Sequence, residues 1–244
     1  GDDAFADRLL ANLRERRVDD SRVQSTPQCE SGLAIIGVES SGQNQIMIVS
    51  GANGQLTPDD VRQHAPAIQS ADILLLQLEV PVETIQSAIS VARDSGVRCI
   101  LDPAPVVKEW SDSLLSVDLV CPNETEASAI TGHDVRSISD AELAAKELNR
   151  RGAANVVITL GDQGCLVLSE GQAHHIESMP VKAIDTTAAG DAFAGALAVR
   201  WSETNDLIEA VHFAVAAGAL ATTHHGAQPS LPTRSEIESF RSHG

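Results

Sequence analysis

Aromatic side chains make up only 2% of this sequence, so its core has to be assembled from Ala, Val, Ile and Leu. Only three lysines occur, Lys108, Lys146 and Lys182, and Asp plus Glu outnumber Lys plus Arg by 34 to 17. The resulting net charge of −17 repels nucleic-acid backbone and anionic lipid, which argues against both as partners. An anionic ligand must therefore find positive potential in backbone N–H groups and a metal ion. No apolar run approaches ~20 residues, so nothing in the sequence is suited to span a bilayer. No Cys-x-x-Cys occurs among Cys29, Cys99, Cys121 and Cys165. Cys99 and Cys165 lie within strand-like apolar runs and Cys121 ends one, which fits buried free thiols in a reducing, cytoplasmic setting. A G-x-x-x-x-G-K-[ST] sequence is also missing, which excludes a P-loop enzyme.

What the chain does have is alternation. Residues 2–17 place Phe5, Leu9, Leu10 and Leu13 on one face of a predicted amphipathic helix. Residues 33–38 and 45–49 are β-rich, and the polar link Glu39-Ser40-Ser41-Gly42-Gln43-Asn44 suits a hairpin between them. Residues 51–54 read as a further loop. Residues 73–78 form a continuous apolar run, as expected for a strand buried on both faces. Pro81 opens a helix that closes near Gly96. Strands follow at 97–101, 118–121 and 156–160. Between them lie a short helix at 123–130 and a longer one reaching Arg151, opened by a capping box at Ser139-Asp140-Ala141-Glu142. The 244 residues suffice for one large domain. The pattern predicts a single α/β unit with a mainly parallel sheet and helices on both faces.

Ligands of such sheets bind at the carboxyl ends of the strands. Five motifs fall there: Gln77-Leu78-Glu79, Asp102-Pro103-Ala104-Pro105, Pro122-Asn123-Glu124-Thr125-Glu126, Thr159-Leu160-Gly161-Asp162-Gln163-Gly164 and Asp185-Thr186-Thr187-Ala188-Ala189-Gly190-Asp191-Ala192-Phe193. Residues 180–184 before the last motif alternate apolar and polar, as in a short strand, and small helix-compatible residues follow it. A turn of small residues feeding a helix presents unpaired N–H groups and the positive end of the dipole, which bind phosphate. A carboxylate at that mouth, Asp191, repels phosphate and makes sense as a base for a hydroxyl that attacks it.

This nine-residue stretch resembles the signature of the PfkB-type carbohydrate kinases, and its Ala188-Ala189 form resembles the ribokinase branch. The order of the motifs agrees along nearly the whole chain. The resemblance implies a three-layer α/β/α sandwich with a small β lid at about residues 33–50, through which a full-length homodimer forms. It implies transfer of the γ-phosphoryl of ATP to the 5-hydroxyl of D-ribose, with Asp191 as base. The amides of Ala188, Ala189, Gly190 and Asp191 would stabilise the phosphoryl group. Glu79 becomes a ligand for sugar hydroxyls; as a bare residue it is equally a solvated side chain before a helix.

Asn123, the Thr159, Leu160, Gly161, Asp162, Gln163 and Gly164 turn, Gly190 and Val215 would contact nucleotide. Asn123 and Glu126, three apart at a helix start, would organise Mg²⁺ through water and phosphate; taken alone, the pair reads instead as an ordinary N-cap with a dipole-stabilising acid. Asp185 and Thr187 with Ala221, His224, Gly226 and Ser230 would enclose K⁺; alone, that loop reads as a helix ending. His224-His225 and His174-His175 lack the i, i+4 spacing of a helical metal site and read as surface residues. One departure stands out. The family's N-terminal strand, sugar-binding aspartate and Gly-Gly loop are not in this sequence, which opens on Gly1 within ordered structure and reads as a fragment with an incomplete lid. Another PfkB sugar or nucleoside kinase, and a non-catalytic sensor on the same fold, remain alternatives.

Overall fold

The computed structural model describes residues 1–38 and 44–243, with the side chains of residues 36–46 and 243 left aside. Helix α1 (Ala4–Glu15) is capped by Asp3, whose carboxylate accepts from the Ala6 amide at 2.8 Å. Strands β1 (Leu33–Val38) and β2 (Asn44–Val49) pair antiparallel from Leu33↔Val49 to Val38↔Asn44. This is the expected antiparallel strand pair; of its proposed polar link Glu39 to Asn44, residues 39–43 lie outside the described residues. Residues 51–54 are a 3-10 turn rather than an irregular loop, because Leu56 N–H closes onto the Asn53 carbonyl.

Helices α2 (Pro58–Gln63) and α3 (Ala65–Gln69) lead into β3 (Ile73–Leu76), α4 (Val82–Ser95) and β4 (Arg98–Leu101). Pro81 precedes α4, and Gly96 closes it at φ +70°, where glycine carries no Cβ penalty. β5 (Leu119–Val120), α5 (Glu124–Thr131), α6 (Ile138–Arg150) and β6 (Asn155–Thr159) continue the alternation. β7 (Cys165–Ser169) and β8 (Gln172–Ile176) form a hairpin, and α7 (Ala189–Thr204), α8 (Leu207–Ala221) and α9 (Arg234–His243) complete the chain.

The main sheet runs β3-β4-β5-β6-β7-β8, parallel from β3 to β6 and antiparallel thereafter. Its strands alternate two cores. Cys99, Leu101, Val120, Val156, Ile158, Leu166 and Leu168 face a layer containing Ile85, Ile89, Ala141 and Leu148 of α4 and α6. Ile100, Leu119, Val157, Cys165 and Val167 face Phe193, Leu197, Val211 and Ala214 of α7 and α8. Each fully buried Val, Leu or Ile contributes roughly 1.5–3 kcal/mol, so the aliphatic core compensates for the scarcity of aromatics. The three-layer α/β/α expectation holds. Cys99, Cys121 and Cys165 are buried free thiols; burial pushes Cys99 and Cys165 up to about 12 and Cys121 well above the usual thiol range, so they are poor nucleophiles. No helix of the described residues is long and apolar enough to cross a membrane.

Three expectations need correction, and one expected helix forms without burying its apolar face. β3 ends at Leu76 and is not buried on both faces: it pairs only with β4 among the described residues, and Leu75 is 39% exposed. The apolar face of α1 buries nothing completely; Phe5 and Leu9 are exposed, and Leu9, Leu10 and Leu13 line an open cleft of about 880 Å³ with Leu56 and Val61. The cap of α6 is Ser137, not Ser139, because the Asp140 amide donates to the Ser137 hydroxyl and the Asp140 carboxylate accepts from it at 2.7 Å. Residues 180–184 are not a strand. The Ile184 and Asp185 amides both donate to the Thr222 carbonyl, at 2.7 and 3.1 Å, so this segment straps the end of α8 instead of joining the sheet.

Candidate active site

α7 begins inside the nine-residue motif, at Ala189, with Gly190 and Asp191 in its first turn. No side chain caps it. Ala188 takes the cap position at φ +59°, a left-handed conformation costing a non-glycine residue roughly 1–2 kcal/mol. The Ala189 amide reaches back to the Thr186 carbonyl at 3.2 Å, whereas the amides of Ala188, Gly190 and Asp191 have no partner among the described residues. A Cβ added at Gly190 would meet no protein atom within 4 Å, so open space borders this turn. Unpaired donors, the helix dipole and open space together make an anion cradle.

Asp191 is exposed at this cradle, and its Oδ1 accepts from Gln77 Nε2 at 3.3 Å. The same nitrogen donates to Asp102 Oδ2 at 3.1 Å. Gln77 follows β3 and Asp102 follows β4; the register pairs Leu76 with Leu101, so the two residues leave adjacent strands side by side. Neither had been given a role. The available signal was their place in two of the five strand-end motifs. Burial pushes the Asp102 carboxyl up to about 6; the Gln77 hydrogen bond opposes this, and the charges of Glu126, Asp191 and Glu79 reinforce it. Glu79 itself is exposed, on the same acidic side.

The elevated Asp102 has a consequence for stability. Its value of about 6 in the folded protein exceeds the ordinary 3.8, so the native state holds the extra proton between those values. Stability from this group is therefore lost as pH rises through about 4 to 6. Asp102→Asn is expected to raise unfolding free energy at pH 7 by on the order of 2 kcal/mol and to change little at pH 4. Urea midpoints at the two pH values check this; equal midpoints at pH 7 would refute it.

Several of the residues expected to contact nucleotide also come together. Asn123 and Thr159 form a parallel bridge, and the Thr159 amide donates to the Pro122 carbonyl at 3.0 Å. Residues Gly161–Gln163 form a 3-10 turn closed by Leu160 N–H to Gly164 O at 2.8 Å. Gly161, Asp162 and Gln163 are exposed, while Leu160 and Gly164 are buried. Val215 is only 7% exposed and belongs to the α7–α8 core. Asn123 and Glu126 form a reciprocal capping box, with Glu126 Oε2 accepting from Asn123 N at 2.8 Å and Asn123 Oδ1 from Glu126 N at 2.9 Å. Burial raises the Glu126 carboxyl, against the opposing Asn123 bonds. No group of three acidic, His or Cys side chains able to hold a metal occurs among the described residues. The one carboxylate and one amide oxygen of the Asn123–Glu126 pair are a donor set that suits Mg²⁺ carried largely by phosphate and water.

On the far side of the motif, Asp185 Oδ1 accepts from Thr187 N and Oδ2 from Gly226 N, both at 2.9 Å. The Gly226 bond, then those from Thr187, hold Asp185 down at about 2. This carboxylate ties the motif to the loop after α8, which carries His224, Gly226 and Ser230 beyond Ala221. Ser230 is buried and donates to the Ala227 carbonyl at 2.7 Å. His224 and His225 are exposed, as are His174 and His175.

Residues 1–234 match the model of the pfkB family carbohydrate kinases. The ribokinase of Staphylococcus aureus (strain COL) is 39% identical over 97% of this chain and 78% of its own length. The deoxyribokinase of Salmonella typhi is 34% identical over 99% of this chain and 79% of its own. The structure of Arabidopsis thaliana ribokinase complexed with ribose and ATP superimposes with a TM-score of 0.89 at 30% identity, covering 98% of this chain and 79% of that one. With that match, and with a carboxylate set at an anion-binding helix start, the chain belongs to the pfkB family of carbohydrate kinases.

Proposed function

We propose that this protein is an ATP-dependent kinase of the ribokinase type, which transfers the γ-phosphoryl group of ATP to the 5-hydroxyl of D-ribose. The observation that carries the proposal is Asp191 in the first turn of α7, beside amides with no other partner. Asp191 takes the proton of the 5-hydroxyl as that oxygen bonds to the γ-phosphorus, and the bond to the bridging oxygen breaks to release ADP. The amides of Ala188, Gly190 and Asp191 stabilise charge on the transferred group. Asn123 and Glu126 would hold the waters of a Mg²⁺ ion bound with ATP, which would supply neutralisation of phosphate charge. The exposed turn from Gly161 to Gln163 receives the nucleotide, and Glu79 binds sugar hydroxyls on the Asp102 side.

A coupled ADP-release assay tests the proposal, with ribose, 2-deoxyribose and other pentoses as acceptors. Ribose is expected to give the highest kcat/KM. No sugar-dependent release by the full-length protein would overturn the kinase reading. A preference of roughly tenfold or more for 2-deoxyribose would move the acceptor to the one named for the Salmonella relative.

Asp185, Thr187 and the Gly226 to Ser230 loop suit K⁺, since one carboxylate with carbonyl and hydroxyl oxygens matches a large, weakly hydrated ion. Replacing K⁺ by a bulky organic cation at constant ionic strength is expected to lower activity, because the ion steadies the loop that Asp185 holds against the cradle. Equal rates would remove the cation while leaving the kinase reading in place.

The exposed Leu33, Ile35, Met47, Ile48 and Val49 of the lid support a homodimer through that sheet. A monomer mass in sedimentation at all concentrations would count against it. Four free cysteines suit a reducing, cytoplasmic compartment.

A further inference from the structure

Asp191 has a partner that the proposed chemistry does not by itself require. Gln77 Nε2 lies 3.1 Å from Asp102 Oδ2 and 3.3 Å from Asp191 Oδ1. Carboxylates only accept, so the amide must turn its NH₂ toward both, and its two hydrogens allow both bonds at once. The charged groups that act most strongly on Asp102 are Glu126, Asp191 and Glu79, all of them acidic. A neutral donor with two hydrogens is thus what separates two carboxylates that would otherwise repel.

The scaffold around this contact is rigid on one side. Gln77 and Asp102 extend paired strands, and the Asp102 amide donates to Leu76 O at 2.8 Å while the Leu78 amide donates to Ala104 O at 2.9 Å. Asp191, in contrast, is an exposed side chain on the first turn of a helix, free to rotate without a partner. A base must keep one lone pair aimed at the acceptor hydroxyl, and a misplacement of about 1 Å can lower the rate ~10²-fold.

We propose that Gln77 and Asp102 form a positioning relay for the base: Asp102 fixes which way the Gln77 amide points, and Gln77 holds Asp191 in its working orientation. This rests on Asp191 being the base. Gln77 occupies one lone pair of Oδ1 and leaves the rest of the carboxylate to the sugar hydroxyl. It acts through Asp191 and is a positioning residue.

The test is a double-mutant cycle in the ADP-release assay, using Gln77→Leu, Asp191→Asn and the combination. Gln77→Leu is expected to lower kcat roughly 10- to 100-fold with the KM values for ATP and sugar little changed. In the Asp191→Asn background the same substitution is expected to have no further effect, since the group it orients is gone. Asp102→Asn keeps an oxygen that accepts from Gln77 and is expected to retain kcat, whereas Asp102→Leu is expected to lose as much as Gln77→Leu. Multiplying losses in the cycle would overturn the relay, and so would a raised sugar KM with unchanged kcat, which would make Gln77 a binding residue. Full turnover in Asp191→Asn would instead overturn the base assignment itself. Should Gln77→Leu fail to fold, the Asp102→Asn and Asp102→Leu pair decides the matter: equal kcat in the two overturns the relay.

Discussion

Asp191→Ala is expected to turn over sugar ~10²–10⁴-fold more slowly than the parent protein, the usual range for loss of a general base. Nucleotide KM should stay close to its parent value. The split follows from geometry. Asp191 contacts Gln77 and faces the acid-lined side formed by Asp102 and Glu79, whereas the turn assigned to nucleotide lies after β6 and is held by its own hydrogen bonds. Removing the carboxylate also removes a negative charge from the anion cradle, so ATP binding should if anything tighten. Its neighbours should be relieved as well, since the Asp191 charge helps to raise Asp102. Fold stability therefore should not fall, and slow turnover cannot be blamed on unfolding. Steady-state kinetics with both substrates varied, alongside a thermal melt, checks all three points. A drop in kcat of tenfold or less would take Asp191 out of the chemistry.

Gly164→Ala should damage both the fold and nucleotide binding. Gly164 sits at φ +87°, and a Cβ there would lie 2.1 Å from the Ile176 carbonyl oxygen and 2.6 Å from the Ser178 amide nitrogen. Those are backbone atoms at the end of β8, with no flexible side chain to move aside. The turn and the β8 end are further tied by a contact of 2.7 Å between His175 Nε2 and the Gln163 carbonyl, and by the Ser178 hydroxyl donating to the Asp162 carbonyl. Relief of the clash has to separate these segments. We expect a loss on the order of 3 kcal/mol or more and a raised KM for ATP. Gly161→Ala is the control: φ is +56°, but nothing lies within 4 Å of the added carbon. Its expected cost is only the roughly 1–2 kcal/mol of a left-handed alanine. Denaturant unfolding of the two variants separates the effects. Similar losses in both would show that backbone conformation, not the close approach to β8, is what Gly164 provides.

The element order could be read from the chain because local chemistry specifies it. Apolar runs of strand length, Pro81 ahead of α4 and Gly96 after it, and the signature stretch before α7 are short-range signals, and each element formed where they placed it to within a few residues. Two local readings failed because a stronger competitor, one nearby and one distant in sequence, claimed the same groups. Ser139-Asp140-Ala141-Glu142 fits a capping box, but Asp140 reaches back to Ser137 and starts α6 earlier. Residues 180–184 alternate like a strand, yet their end is claimed by the Thr222 carbonyl.

The sequence by itself thus determined the α/β class, the aliphatic core, the buried thiols and the gathering of five motifs at one end of the sheet. Only the tertiary structure decided what those motifs do to one another. Gln77 meets Asp191 across 114 positions of sequence, and Asp185 meets Gly226 across 41. No periodicity or spacing encodes such a contact; it depends on which strands become neighbours and where a helix start comes to rest against them. The same holds for β3: its apolar run looks fully buried in one dimension, and its partial exposure follows from its place at the border of the described sheet. Burial and pairing are properties of the assembled layers, which is why the elevated Asp102 and its amide link to the base became visible only there.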